Sequence, residues 1–176
     1  YNVVVGDEAG TAITTGDANT FVGFEAGKTV STSSENTAFG YQALKLNAAG
    51  DGNTAIGVKA MDANVIGDRN VAVGADALGA MNPDSNADMY NTAVGYSAGK
   101  ATTTGTNNTF VGGLAGDSIQ DGSNNIIIGY ASDAGNSVSN AIVLGVGIAS
   151  AANDFSFGKA SNEVFNDFDT DAAWTR

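Results

Sequence analysis

The chain has 176 residues and a formal net charge of −12, with 19 acidic against 7 basic side chains, and it contains no Cys and no His. These counts exclude disulfides, zinc sites of the usual kinds, and Ser-His-Asp or Cys-His catalysis. They leave no basic footprint for nucleic acid, and apolar runs such as Ile126-Ile127-Ile128 are far too short to cross a bilayer, so neither nucleic acid nor membrane is expected as a partner.

Along the chain one unit repeats. Asn stands at Asn2, Asn19, Asn36, Asn53 and Asn70, an unbroken step of 17, and again at Asn91, Asn108 and Asn125. Gly follows each Asn by four positions, from Gly6 and Gly23 through to Gly129, and a ninth unit ends at Gly145 with Ala141 in the Asn place. Ala follows most of these Gly residues by three, as at Ala9, Ala26 and Ala43. Between Asn and Gly lie three small or apolar residues, such as Thr-Ala-Phe at 37–39 and Val-Ala-Val at 71–73. Such runs predict short strands, and Gly at their ends predicts a corner of positive φ or close backbone approach. A second Gly, as at Gly50 and Gly67, marks another turn.

A 17-residue unit with two short strands and two turns predicts one coil of a parallel β-solenoid. It is too short for helical hairpin repeats or propeller blades. Stacked coils bury a continuous core that no single unit can bury. The eight Asn residues predict a ladder, each amide bonding to its equivalent in the next coil.

The step from Asn70 to Asn91 carries four extra residues, which places a loop insertion near 79–90. It holds the only Pro, Pro83, and reads as a loop leaving the solenoid, a place where binding residues often sit. The repeat domain is drawn over 1–150. Residues 151–176 form a tail with Phe155, Phe157, Phe165, Phe168 and Trp174, aromatics that need burial against the last coil or against neighbouring chains.

The units "NTAFGYQAL", "NTAIGVKAM" and "NTAVGYSAG" resemble the head repeats of trimeric autotransporter adhesins. In 17-residue spacing and wording they resemble still more closely the repeat regions of bacteriophage tail-fibre and tail-spike proteins, over residues 1–148. The tail "FGKASNEVFNDFDTDAAWTR" resembles the segment ahead of a self-cleaving endosialidase-type intramolecular chaperone, which implies Arg176 as a processing end. The resemblance implies an all-β, left-handed parallel β-roll of about nine coils, assembled as a homotrimer. It implies a structural and adhesive fibre segment in the virion, attaching to a host cell-surface glycan or protein receptor and joined to other fibre or virion proteins. The head of a bacterial trimeric surface adhesin is the alternative. A monomeric ice- or calcium-binding solenoid is a third.

The residues themselves offer little catalytic or ligand chemistry. Asp17, Asp51, Asp68 and Asp121 sit at turns, but the column is broken at Ser34 and Thr106, and no calcium-loop pattern appears. Thr20, Thr37, Thr54, Thr92 and Thr109 form one column, where an ice-binding face wants two. No enzymatic role, cofactor or metal is expected. Aromatics after the repeat Gly, at Phe24, Tyr41, Tyr96 and Tyr130, are read as packing residues or as receptor contacts, the Tyr residues together with Pro83. The acidic tail residues Asp167, Asp169 and Asp171 read as an exposed face.

Overall fold

Three-residue runs rich in β-branched side chains, each closed by Gly, form strands here. The computed structural model describes residues 1–167, with no helix among them. The strands are β1 (Val3–Val5), β2 (Thr20–Val22), β3 (Thr37–Phe39), β4 (Thr54–Ile56), β5 (Gly67–Asp68), β6 (Val71–Val73), β7 (Ala87–Asp88), β8 (Thr92–Val94), β9 (Thr109–Val111), β10 (Ile126–Ile128), β11 (Ile142–Val146), β12 (Asp154–Lys159) and β13 (Asn162–Asp167). One sheet runs β1-β2-β3-β4-β6-β8-β9-β10-β11-β12-β13, parallel up to β12. Thr20 lies beside Thr37 and Thr37 beside Thr54, so the sequence step is one full coil. The molecule is an all-β parallel solenoid of about nine turns. With rungs ~4.8 Å apart, it is a rod roughly 43 Å long.

The end of the repeat near residue 150 does not end the sheet. β12 pairs with β11 in parallel over five positions, and β13 turns back antiparallel on β12.

The expected second strand of each coil does not form a second continuous sheet. On that side, among the described residues, only β5 and β7 pair, over two positions. The rest of the coil winds through corners of positive φ. They fall just before the ladder Asn (Glu35, Arg69, Asn107), two residues after the repeat Gly (Glu25, Gln42, Lys59) and four after it (Leu44, Met61, Leu78). A non-glycine residue in this region is strained unless its surroundings hold it. Here coil-to-coil bonds do so: Gln42 N donates to Phe24 O at 2.9 Å and Lys59 N to Tyr41 O at 2.9 Å.

Within each strand the middle residue points inward and its two neighbours outward. Phe21, Ala38, Ala55, Ala72, Ala93, Phe110, Ile127 and Val143 are all fully buried. The strand-centre Ala residues therefore face the solenoid's own core. Their smallness has a local cause. The coils centred on Ala38, Ala55 and Ala72 carry Leu44, Met61 and Leu78 at the corner four residues after the repeat Gly, all fully buried, and these side chains fill the space; beside Ala93, whose corner is Gly99, the Phe110 ring of the next coil does so. Where the centre is Phe, that corner is Gly: a Cβ on Gly27 would lie 2.6 Å from the Phe21 ring, and one on Gly116 would strike the Phe110 ring. Gly99, the corner of the preceding coil centred on Ala93, also faces Phe110, at 2.5 Å from where its Cβ would stand.

The Asn column is a ladder, but mostly between side chain and backbone. Each Oδ1 accepts the backbone N–H of the next coil's ladder position, as Asn36 does from Asn53 at 2.9 Å and Asn53 from Asn70 at 3.0 Å. Each Nδ2 of the coil interior donates to a backbone carbonyl, as Asn53 does to Gly67 O at 2.8 Å. Amide-to-amide bonds join Asn70 to Asn53 and Asn125 to Asn108, both 3.0 Å. Asn19 through Asn125 are fully buried. Asn53→Ala removes the amide, leaves the buried Asn70 N–H without its acceptor and takes one of two donors from Gly67 C=O, which Asn64 Nδ2 also reaches at 2.9 Å. It is expected to destabilise by about 1–3 kcal/mol, read by denaturant unfolding. An unchanged midpoint would count against the ladder.

Two further ladders stand beside it. Buried Asn64 donates from Nδ2 to Asn47 Oδ1 at 3.0 Å and to Gly67 O at 2.9 Å, the carbonyl that Asn53 also reaches. At the turn before the corner, Asp51 Oδ1 accepts Ser34 N–H at 2.7 Å, Asp68 Oδ1 accepts Asp51 N–H at 2.8 Å, and Ser123 Oγ accepts Thr106 N–H at 3.0 Å. The places that looked broken, Ser34 and Thr106, thus carry short oxygen-bearing side chains like their neighbours, and the column is interrupted instead at the buried Met89. The column needs an acceptor, not a carboxylate.

Candidate functional surface

With the strand centres turned inward, the flanking positions build the outer face of the sheet. One column runs Val5, Val22, Phe39, Ile56, Val73, Val94, Val111, Ile128, Leu144 and Phe157, apolar at every rung. Its members are exposed or half-buried, with Phe39 at 56%. The parallel column begins at Val3, continues through Thr20, Thr37, Thr54, Val71, Thr92, Thr109 and Ile126, and reaches Ile142 and Phe155. The proposed Thr array is therefore one half-buried column beside an apolar one. At the far end the rings of Phe155 and Phe157 lie 5.6 Å apart, so two of the tail aromatics extend this face.

The aromatic residues after the repeat Gly line its flank. Phe24 and Tyr41 stack with centroids 5.5 Å apart and planes 14° off parallel. Tyr41, Tyr96 and Tyr130 are all exposed. They do not form an unbroken platform, because Val58, Ala75 and Gly113 occupy the intervening rungs.

The insertion behaves differently from a free loop. Met81, Pro83 and Met89 are buried, and Pro83 Cδ lies 3.2 Å from where a Cβ on Gly67 would stand. The pairing of β7 with β5 pins its far side, and Arg69 pairs with Asp88, which also accepts a bond from the Tyr90 hydroxyl at 2.8 Å. Pro83, suggested as a receptor contact, is thus packed inward. Asp84, Ser85 and Asn86 are the exposed tip. Arg176, Phe168, Trp174, Asp169 and Asp171 lie outside the described residues, and Phe165 and Asp167 are described only as backbone of β13.

Charge gathers on the opposite corners, across the first three coils. Glu25 accepts from Lys28 at 2.6 Å, Lys45 at 2.7 Å and Gln42 at 2.7 Å, and Lys28 also pairs with Glu8. The Lys28 ammonium, then Lys45 and Gln42, draw the Glu25 carboxyl down to about 2. A carboxylate lowered in the folded state contributes stability that is present above the ordinary carboxylate range and fades as pH falls toward the lowered value. The expected result is that the melting temperature of the wild type exceeds that of Glu25→Gln most above pH ~5. The gap should close as pH approaches 2. A constant gap would contradict the pairing. Asp62, Asp68 and Asp117 are shifted the other way, each raised chiefly by burial, so the comparison with the variant is what isolates Glu25.

Among the described residues no three carboxylates converge to hold a metal ion. No family model, curated protein or solved structure matches the chain.

Proposed function

We propose that this chain is a structural and adhesive segment of a phage tail fibre, in which three copies wind as left-handed β-rolls and stand in parallel around their outer strand faces. The observation that carries the reading is the unbroken apolar column from Val5 to Phe157. Soluble monomers rarely expose contiguous apolar patches beyond a few hundred Å², and a stripe ten rungs long is a natural seam between identical chains. A column identical in register on every copy suits a symmetric oligomer. The three copies, each of net charge −12, would repel neighbouring assemblies and stay soluble. The exposed Tyr41, Tyr96 and Tyr130 flank the seam, where their rings suit contact with a host glycan or protein. Their spacing fits scattered contacts better than one long sugar platform.

Light scattering on the purified chain tests the assembly. The expected mass is that of three 17.6 kDa chains, falling to one chain in Phe39→Lys/Ile56→Lys. A stable wild-type monomer would overturn the reading and favour a solitary solenoid.

A further inference from the structure

We propose that the insertion builds a saccharide-binding patch around Tyr90, which takes a neutral, extended oligosaccharide laid across the rungs. The patch deepens the adhesive reading and rests on it, but not on the trimer. It starts from a change of register. β5 and β7 align Gly67 with Ala87 and Asp68 with Asp88, whereas β6 and β8 align Val71 with Thr92. Between these pairs Arg69 and Asn70 on one rung stand against Met89, Tyr90 and Asn91 on the next. One residue is extra, which makes a bulge, and bulges re-aim side chains beside functional sites.

The bulge parts two neighbours. Met89 turns inward and is buried, while Tyr90 turns outward and is 52% exposed. Tyr90 keeps the positive φ of the corner before a ladder Asn, at 52°. Gly52, Asn107, Asn124 and Asn140 hold the same corner and are of the types that tolerate it. A bulky ring does so at a cost and needs support. Elsewhere the support is a bond to the rung before: Arg69 N donates to Asp51 O at 2.9 Å and Asn107 N to Met89 O at 2.8 Å. At the bulge Met89 N takes that bond instead, reaching Asp68 O at 3.1 Å. Tyr90 is tied by its side chain: the hydroxyl donates to Asp88 Oδ2 at 2.8 Å, and Arg69 pairs with Asp88. A strained aromatic, fixed at its hydroxyl end with half its surface open, is an outlier of the kind that marks a ligand contact.

The surroundings point to the ligand class. Rungs lie ~4.8 Å apart, close to the length of one pyranose unit in an extended chain. At the corner that Tyr90 holds, the following rungs present exposed Asn107, Asn124 and Asn140. Asn124 Nδ2 donates to Asn140 Oδ1 at 3.3 Å, which aligns these amides in a strip. An amide both donates and accepts, as sugar hydroxyls do. The C–H face of a sugar stacks on a Tyr ring, and the Arg69–Asp88 pair sets a donor and an acceptor at the ring's edge. The strip from Tyr90 to Asn140 is uncharged, and a net charge of −12 disfavours acidic glycans. Tyr90 precedes β8 whereas Tyr96 follows it, so this patch is separate from the flank that Tyr41, Tyr96 and Tyr130 line.

The test probes a printed array of neutral glucan, mannan, galactan and N-acetylhexosamine oligosaccharides with the full chain, with sialylated and sulfated chains alongside. Wild type is expected to bind a neutral chain. Tyr90→Ala should weaken that binding about tenfold or more, Asn107→Ala/Asn124→Ala should weaken it too, and Asp84→Ala at the insertion tip should not. Tyr90→Gly should lose binding yet melt within about 3 °C of wild type, because Gly relieves the strain at this corner. A larger fall in Tm would make the ring structural and overturn the proposal. So would binding that Tyr90→Ala leaves unchanged, binding to acidic chains alone, or no binding to any neutral chain. Binding lost only in Tyr41→Ala/Tyr96→Ala/Tyr130→Ala would overturn this patch and leave the adhesive reading standing.

Discussion

Gly57→Ala is expected to destabilise the fold by about 2–6 kcal/mol, from backbone strain and overpacking together. Gly57 has φ +138°, outside the pocket that a left-handed Asn or Ala can occupy. A Cβ there would lie 2.5 Å from Gly74 O and 2.6 Å from Gly74 C. Both are backbone atoms of the next rung, so no side chain can swing away. The same geometry recurs at Gly6, Gly23, Gly40, Gly74, Gly95 and Gly112, each set against the next repeat Gly. Gly52→Ala is the control. Its φ is +65°, the nearest atom is Arg69 Cγ at 3.5 Å, and Arg69 itself holds the equivalent corner with φ 57°. The control should cost only about 1–2 kcal/mol. Equal losses for the two variants, measured by denaturant unfolding, would contradict close rung-to-rung approach as the reason for Gly.

Phe110→Ala is expected to cost about 3–5 kcal/mol, since the ring is fully buried and its removal leaves a cavity. The cavity should be partly repairable from a defined position. Gly116 lies so close to the Phe110 ring that any side chain there would strike it. The equivalent corners in other coils hold Leu44, Met61 and Leu78, all with positive φ, beside Ala at the strand centre. Gly116→Leu should therefore destabilise alone, yet recover more than half of the loss when combined with Phe110→Ala. That sign change is strong coupling between touching residues. Additive losses would contradict reciprocal filling of the core.

These two positions also show what the sequence discloses and what it hides. The step of 17, the Asn column and the Gly column are identities at fixed spacing, and the structure needs those identities. Only Gly fits at Gly57, and the Asn53 amide donates from one atom and accepts at another, reaching Gly67 O and Asn70 N–H at once. The parallel solenoid was legible for that reason. Positions that tolerate many residues gave no signal. The corner two after the repeat Gly holds Glu25, Gln42, Lys59, Asp76 and Ser97, all of positive φ, although no residue type marks it. Its conformation is imposed by bonds from the neighbouring coil. The second strand was expected because local propensity cannot see those bonds. The inward direction of the strand-centre Ala residues gave no signal either, because what fills the space beside Ala38 and Ala55 is Leu44 and Met61, eight residues beyond Asn36 and Asn53. Ser34 and Thr106 looked like breaks because the column was read as carboxylates rather than as hydrogen-bond acceptors.

The candidate surface was less legible than the fold. The aromatic positions Tyr41, Tyr96 and Tyr130 were visible as a pattern, and the structure shows them exposed. The larger feature, the outward apolar column, was hidden in plain sight: its residues read simply as strand formers until the inward turn of the middle residue left them outside. Pro83 attracted notice as the sole Pro, yet buried packing against Gly67 is what it does.

The absence of Cys allows a direct test of the seam. A single Cys is placed at Ile56 in the outer column, and in a second variant at Asp84 on the exposed insertion tip. A short bis-maleimide is then added to each at low protein concentration. If identical chains meet in parallel and in register along the outer strand face, Ile56→Cys gives covalently linked chains in high yield and Asp84→Cys does not. Equal linking at both positions, or none at Ile56→Cys, would contradict the account.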